Sequence, residues 1–305
     1  MSLPSLSVLM PVYNGARYLR PAVDSILGQT WRDFEFLILD DGSTDASFRI
    51  LQGYAAQDAR ISIFQRPHRG IAQSRNELLR HAQGQWIACM DADDISLPER
   101  FARQIAFLGS HPEVVCVGGA IDWIDAKGNW LGHCSMPETD ADLQRLMLGG
   151  ISLLHHPCTM ARRSALLQVG GYDETLIASA DLDLWLRLGE IGKLANLPDT
   201  VLQYRLHRKS ITHVQQHQQH QDALTACQRA WQRRGLSGTF IRQPADHLNQ
   251  TEFWLRCGWQ GFQTGQRDVA KRCGLGAIRT QPLSWTAWNL FLCAWLKPMT
   301  LQTST

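Results

Sequence analysis

Apolar positions follow two alternating rhythms along the first ninety or so residues. The run Leu6-Ser7-Val8-Leu9-Met10 reads as a strand, stopped by Pro11 and the turn pair Asn14-Gly15. Tyr18, Leu19, Ala22, Val23, Ile26 and Leu27 then recur at three- and four-residue spacing, which predicts a helix over about 16–29. The alternation continues as strand 34–39, helix about 46–57, strand 61–65, helix about 71–82 and strand 86–90. Strands alternating with helices of this length imply an α/β fold with a mostly parallel central sheet flanked by helices.

After Asp94 the sequence Ser96-Leu97-Pro98-Glu99 has the form of a capping box, with Phe101, Ile105 and Leu108 as the buried face of the helix it would start. Beyond Gly109 the rhythm weakens to a strand over 114–121, a helix over 139–148, a strand over 157–161 and a helix over 182–189. This half should add mixed strands that complete the sheet and wall a pocket. From about His213 the composition shifts, which sets the expected boundary between a main domain, 1–210, and a helical C-terminal extension, 211–305. His213 and His217 sit one helical turn apart there. With no acidic or Cys partner placed by spacing, a solvated polar helix face is preferred to a metal pair.

The chemistry sits at the strand ends. Trp86-Ile87-Ala88-Cys89-Met90 runs into Asp91-Ala92-Asp93-Asp94, and Phe34-Glu35-Phe36-Leu37-Ile38-Leu39 runs into Asp40-Asp41-Gly42-Ser43-Thr44-Asp45. Carboxylates crowded at a strand terminus repel one another, and the remedies are a divalent cation, a basic partner or open water. In an open α/β sheet the carboxyl ends of parallel strands meet on one edge, and ligands bind in the crevice outside it. Both acidic loops should therefore face one cleft. Asp91-Ala92-Asp93 is a candidate Asp-x-Asp metal site, against the alternative of a solvated turn.

Composition narrows the class without choosing a substrate. The 305 residues are 44% hydrophobic and 19% charged, as in an ordinary globular enzyme, and a net charge of +2 gives no argument for nucleic acid as a partner. Eight cysteines without a C-x-x-C pair suit buried free thiols in a reducing compartment. No signal-peptide pattern opens the chain and no run reaches the roughly 18 apolar residues of a membrane span, so a cytoplasmic location is expected. Near the C-terminus, Trp285, Trp288, Phe291, Leu292 and Trp295 precede Lys297 in a segment too short to cross a bilayer. It either packs as core or makes a peripheral contact with the inner face of the cell membrane.

The motifs, taken in order, resemble the family 2 inverting glycosyltransferases. They are Pro11-Val12-Tyr13-Asn14, Asp40-Asp41-Gly42-Ser43-Thr44-Asp45, Gly70-Ile71-Ala72-Gln73-Ser74-Arg75-Asn76, Asp91-Ala92-Asp93-Asp94, Gly170-Gly171-Tyr172-Asp173, Asp181-Leu182-Asp183-Leu184-Trp185-Leu186-Arg187 and Tyr204-Arg205-Leu206-His207. The resemblance spans about the first 210 residues. It implies the GT-A fold and transfer of a sugar, with UDP as the expected nucleotide, from a nucleotide-diphosphate donor to a hydroxyl. The acceptor expected is a glycan or a lipid-linked sugar, as in bacterial polysaccharide assembly.

The same resemblance assigns roles. Asp93 matches the ligand of a Mn or Mg ion, with Asp91 near the ribose, and His207 matches a late histidine that reaches the metal or diphosphate. Asp41 matches the carboxylate that accepts from the nucleobase, Pro11 and Tyr13 the walls beside the base, and Arg75 a donor contact. The general base falls in an acidic pair before a Leu-Trp helix. Here that pair is Ala180-Asp181, which leaves Asp181 as the base, Asp183 as its competitor, and an alanine where a glutamate is usual. Two alternatives remain. A sugar-phosphate nucleotidyltransferase would want a Gly-rich loop that Pro11-Val12-Tyr13-Asn14-Gly15 lacks. A non-catalytic nucleotide-sugar-binding module would not need Asp181.

Overall fold

The computed structural model describes residues 3–207, 216–237 and 250–296. Strand β1 (Leu6–Val12), helix α1 (Ala16–Leu27), β2 (Phe34–Asp40), α2 (Ser47–Ala55), β3 (Ile61–Gln65), α3 (Ile71–His81) and β4 (Trp86–Cys89) follow in the expected order. Apolar side chains fill β1, β2 and β4 almost without a break because both faces of these strands are covered. Helix α1 buries Leu19, Ala22, Val23 and Ile26, which is the stripe its spacing announces.

Register places the chemistry. β1 pairs in parallel with β2, so that Val12 lies beside Asp40, and Asp40 in turn lies beside Gln65 of β3. β4 joins the other side of β1, with Cys89 beside Leu9. The carboxyl ends of these strands therefore leave the sheet on one edge.

The second half completes the sheet with antiparallel pairings. It comprises β5 (Ile95–Ser96), α4 (Arg100–Ser110), β6 (Val114–Ile124), β7 (Trp130–Cys134), α5 (Asp140–Met147), β8 (Met160–Arg162), α6 (Arg163–Gln168), α7 (Ala180–Leu188) and β9 (Lys193–Arg205). The strand order is β3-β2-β1-β4-β8-β6-β9-β5, with β7 paired to β6. β8 runs antiparallel to both β4 and β6. Helix α8 (Gln216–Arg233) adds Ala223, Ala226, Cys227 and Ala230 to the core formed by Leu9, Leu37, Trp185 and their neighbours. Further on come α9 (Gln250–Gln263), α10 (Arg267–Thr280) and α11 (Trp285–Leu296).

The contacts divide into two compact units. The first holds 1–121, 135–204 and 208–243; the second holds 122–134, 205–207 and 244–305. Within the second, Leu131, Cys257, Val269 and Cys273 form a small core with Trp123, Trp130 and Phe253 against it.

Three local expectations change. Ser96 does not cap α4: it sits in β5 opposite Leu202, its hydroxyl accepts from Gln29 Nε2 at 3.1 Å, and α4 begins after Glu99 with no side-chain cap. The segment expected as a strand over 157–161 opens instead with a single 3-10 turn, His156–Cys158, because Pro157 favours the turn and offers no ladder donor. The long strand β9 was not foreseen. His213, and the side chain of His217, lie outside the described residues. All eight cysteines are free and seven are buried.

Candidate active site

The acidic loop after β2 is held from several sides. Asp41 is buried, and its carboxylate accepts from Arg66 Nε at 2.9 Å, from the Arg69 backbone N–H at 3.1 Å and from the Gly70 backbone N–H at 2.8 Å, with His68 Nδ1 2.9 Å away. Burial pushes its pKa up, but the bonds from Gly70, Arg66 and Arg69 outweigh that and hold it below the usual carboxylate value. Gly42 makes the arrangement sterically feasible: at φ +80°, a Cβ there would meet the His68 backbone nitrogen at 2.7 Å. Arg66 also donates to Glu77 Oε2 at 2.5 Å and to Ser74 Oγ at 2.9 Å, tying the loop to α3.

Beside this loop Tyr13 is 50% exposed and stacks on His68, with centroids 4.0 Å apart and ring planes 21° from parallel. Pro11, near the end of β1, is half-buried. Asp45 serves structure: its carboxylate accepts from the backbone of Ala16 at the start of α1 and from Ser47 at the start of α2.

The second acidic loop contains the charge cluster. Arg75, buried on α3, donates from Nη2 to Asp91 Oδ1 at 3.2 Å, and its guanidinium lies 5.5 Å from the Tyr172 ring centroid. Burial foremost, with Asp93 and Asp181 adding repulsion, raises the Asp91 pKa despite the Arg75 charge. The Asp181 carboxyl, half-buried at the start of α7, is also pushed up by burial and partly held down by Arg75. Arg75, Asp91, Asp93 and Asp181 thus form one electrostatic neighbourhood, assembled from α3, the β4 end and α7. Asp183 is placed differently. It is buried, and its carboxylate accepts from Arg187 Nε at 2.7 Å within α7, a pairing that explains it structurally.

Beneath the loop, Arg100 is fully buried and donates from Nη2 to the carbonyls of Cys89 and Thr159 at 2.8 and 3.0 Å. Burial lowers its pKa to about 10, which still leaves a cation below the acidic residues at neutral pH. This is one of the basic partners that the acidic strand end called for.

Among the described residues no three His, Cys, Asp or Glu side chains converge as a metal cage. A hard divalent ion does not require one, since Mg and Mn sites commonly use one or two carboxylates and complete their shell with substrate phosphates and water. The neighbouring carboxylates Asp91 and Asp93 fit that donor set. His207 is half-buried and belongs to the second unit, beyond the end of β9.

The sequence reading missed Arg66, His68 and Arg100 and did not connect His156 with Tyr172. A signal for the first two was present: Arg66-Pro67-His68-Arg69 makes the third strand end basic where its neighbours are acidic.

An open α/β sheet of this order, with carboxylates at the ends of β2 and β4 and a third at the head of α7, defines a protein of the GT-A class. The chain matches Glycosyl transferase family 2 over residues 7–170 and belongs to that family. EpsE of Bacillus subtilis, described as a glycosyltransferase, is 36% identical over 195 residues, which is 62% of this chain and 68% of EpsE. An uncharacterized glycosyltransferase of Methanocaldococcus jannaschii is 32% identical over 211 residues, 68% of this chain and 72% of that one. Among solved structures, Staphylococcus aureus TarS 1–349 in complex with UDP-GlcNAc matches with a TM-score of 0.58 at 16% identity, over 95% of this chain and 90% of that one. This chain spans 55% of a longer TarS chain. The mannosyltransferase PcManGT from Pyrobaculum calidifontis in complex with GDP-Man and Mn2+ matches with a TM-score of 0.58 at 18% identity, over 97% of this chain and 81% of that one. At such identities the likeness is one of fold.

Proposed function

We propose that the protein is an inverting glycosyltransferase that moves a sugar from a UDP-sugar to a hydroxyl of a glycan or lipid-linked acceptor, with Asp181 as general base. The carrying observation is that Asp181, from α7, shares one charge neighbourhood with Arg75 and Asp91. The acceptor oxygen attacks the anomeric carbon as the bond to the diphosphate breaks, and its proton passes to the Asp181 carboxylate. A raised carboxyl pKa suits that task, because it brings proton affinity closer to working pH.

The other assignments follow the same reading. Pro11 and Tyr13 wall the nucleobase, and Asp41, rigidly held, faces its edge. Arg75 holds Asp91 against the ribose and contributes positive charge. Asp93 is the metal ligand, with Asp91 beside it; His207 is kept as a further ligand on the sequence pattern alone. A bound Mg or Mn ion supplies Lewis-acid neutralisation of the leaving diphosphate. A panel of UDP- and GDP-sugars with Mn tests the reading: slow release of free sugar from one donor supports it. Pyrophosphate formed from a nucleoside triphosphate and a sugar phosphate would replace it with the nucleotidyltransferase, and nucleotide-sugar binding without turnover with the binding module.

A second reading concerns location. Among the described residues no helix is long and apolar enough to cross a membrane. Helix α11 nonetheless buries Ala287, Leu290, Cys293 and Ala294 while Trp285 and Trp295 stay 75% and 55% exposed beside exposed Trp288, Leu292 and Leu296. Lys271 Nζ lies 3.8 Å from the Trp295 ring centroid, and residues 269–305 carry four basic and no acidic side chains. Exposed tryptophans with a basic surround suit the interface of an anionic bilayer. Peripheral contact with the cytoplasmic face of the membrane, near a lipid-linked acceptor, is the reading this favours.

A further inference from the structure

A row of polar side chains lies against the Arg75–Asp91 pair, and no step above uses it. The His156 ring is 6% exposed and stacks on Trp185, with centroids 5.9 Å apart. Its Nε2 is 2.8 Å from the Tyr172 hydroxyl, which lies 3.5 Å from Cys89 Sγ. The other ring nitrogen, Nδ1, has no hydrogen-bond partner among the described residues and stands 3.9 Å from Asp91 Oδ1. A buried polar group left in that state is destabilising.

The neighbours decide which nitrogen holds the proton. A proton on Nε2 would leave the Nδ1 lone pair facing a carboxylate, two acceptors turned toward each other. With the Tyr172 hydroxyl donating to Nε2, and the Cys89 thiol to Tyr172, every hydrogen in the row is placed and Nδ1–H faces Asp91. Burial, reinforced by the charges of Arg75 and Arg100, disfavours a charged ring.

An N–H donor and a carboxylate acceptor 3.9 Å apart are too distant to bond directly. One hydroxyl oxygen, about 2.8 Å from each, would satisfy both by accepting from His156 and donating to Asp91. We propose that His156 and Asp91 together bind a single hydroxyl of the nucleotide-sugar donor, with His156 as its buried hydrogen-bond donor and Tyr172 as the positioning residue that fixes the His156 tautomer. This rests on the glycosyltransferase reading. The hydroxyl belongs either to the ribose or to the transferred sugar.

Titration calorimetry on the full chain with Mn separates these sources, using UDP and GDP, their 2′-deoxy and 3′-deoxy counterparts, UDP-GlcNAc and GDP-mannose. His156→Phe keeps the ring and its stacking but removes both nitrogens. It should weaken the ligands that carry the hydroxyl by about tenfold, the size of one hydrogen bond, and erase the preference over the matching deoxy ligand. His156→Asn, whose amide nitrogen falls near Nδ1, should recover part of the loss. A loss already present with the free diphosphate assigns the ribose; a loss only with the sugar nucleotide assigns the sugar. Should His156→Phe fail to fold, Tyr172→Phe should give a smaller loss on the same ligands. Unchanged affinities in these variants overturn the proposal. A wild-type chain that binds none of the ligands overturns instead the UDP-sugar donor reading on which the proposal rests.

Discussion

Asp222 of α8 accepts a hydrogen bond at 2.7 Å from the backbone N–H of Ala178, three residues before the carboxylate of Asp181. Asp222 is buried, Gln218 Nε2 donates to its other oxygen at 2.7 Å, and the neighbouring Ser179 hydroxyl donates to the Gln219 carbonyl. A helix some forty residues downstream therefore sets where the proposed base begins its own helix. Asp222→Ala leaves the half-buried Ala178 N–H without its acceptor, at a cost of about 1 kcal/mol. It should lower kcat by about ten- to a hundredfold through misplacement of Asp181 while nucleotide affinity stays unchanged. Steady-state kinetics beside nucleotide calorimetry checks the split.

Asp181→Asn should reduce transfer by at least about a hundredfold and leave binding of the nucleoside diphosphate nearly intact, because only a transition-state role is lost. Asp183→Asn should behave in the opposite sense, losing stability with its Arg187 ion pair while the folded fraction keeps its turnover. If the Asp183 variant were the inactive one and the Asp181 variant turned over normally, the base would have to be reassigned.

Removal of divalent cations should stop transfer, and added Mg or Mn should restore it. Asp93→Ala should remain folded, with an unchanged circular dichroism melt, yet lose turnover at every cation concentration tried. Full activity in excess chelator would rule out the metal role.

Acid should act on Asp41 in a defined direction. Its folded pKa lies below the usual value, so its contribution to stability is complete above the unfolded pKa, about 3.9, and is lost as pH falls through the folded one. Asp41→Asn weakens the bonds from the Arg69 and Gly70 N–H groups and removes one of the two carboxylates paired with Arg66, Glu77 remaining, and should destabilise the protein by about 1–3 kcal/mol at pH 7. That difference should narrow below about pH 4. Urea titrations of both proteins from pH 7 to pH 3 measure it.

For α11, Trp285→Ser with Trp295→Ser should abolish co-sedimentation with vesicles containing phosphatidylglycerol and leave the melting temperature within a few degrees of wild type, since both rings are more than half exposed. Equal sedimentation of wild type and variant would remove the membrane reading, and a collapsed melting temperature would make the tryptophans part of the core.

The parallel half of the fold was legible because local rules and tertiary burial agree there. β1, β2 and β4 are apolar but for Ser7, Glu35 and the terminal Asp40, and α1 keeps one stripe. The two acidic strand ends could be read for the same reason, as abrupt breaks in such runs. β9 was hidden by Pro198 and Asp199, which interrupt its apolar residues, so no clean alternation survives. Ser96 matched a capping pattern, yet its partners Gln29 and Leu202 are remote in sequence and prevailed. The His156–Tyr172 contact and the Arg100 bonds to Cys89 and Thr159 were illegible for a related reason: burial makes such polar residues choose partners, here 16, 11 and 59 residues away, in other elements that no local spacing rule links.

The interleaving of the two units bears on how the gene can be cut. Residues 122–134 and 205–207 are borrowed from within the span of the first unit, so the second has no contiguous reading frame of its own. A stop codon after residue 243 would orphan Trp123, Trp130 and Leu131, whose apolar partners Phe253, Cys257, Val269 and Cys273 would no longer be translated. The product would display a sticky hairpin, and its aggregation would mimic a loss of catalysis. Surface-directed substitutions in the full-length polypeptide avoid that artefact, and grafting the helices onto another transferase would have to carry the hairpin with them.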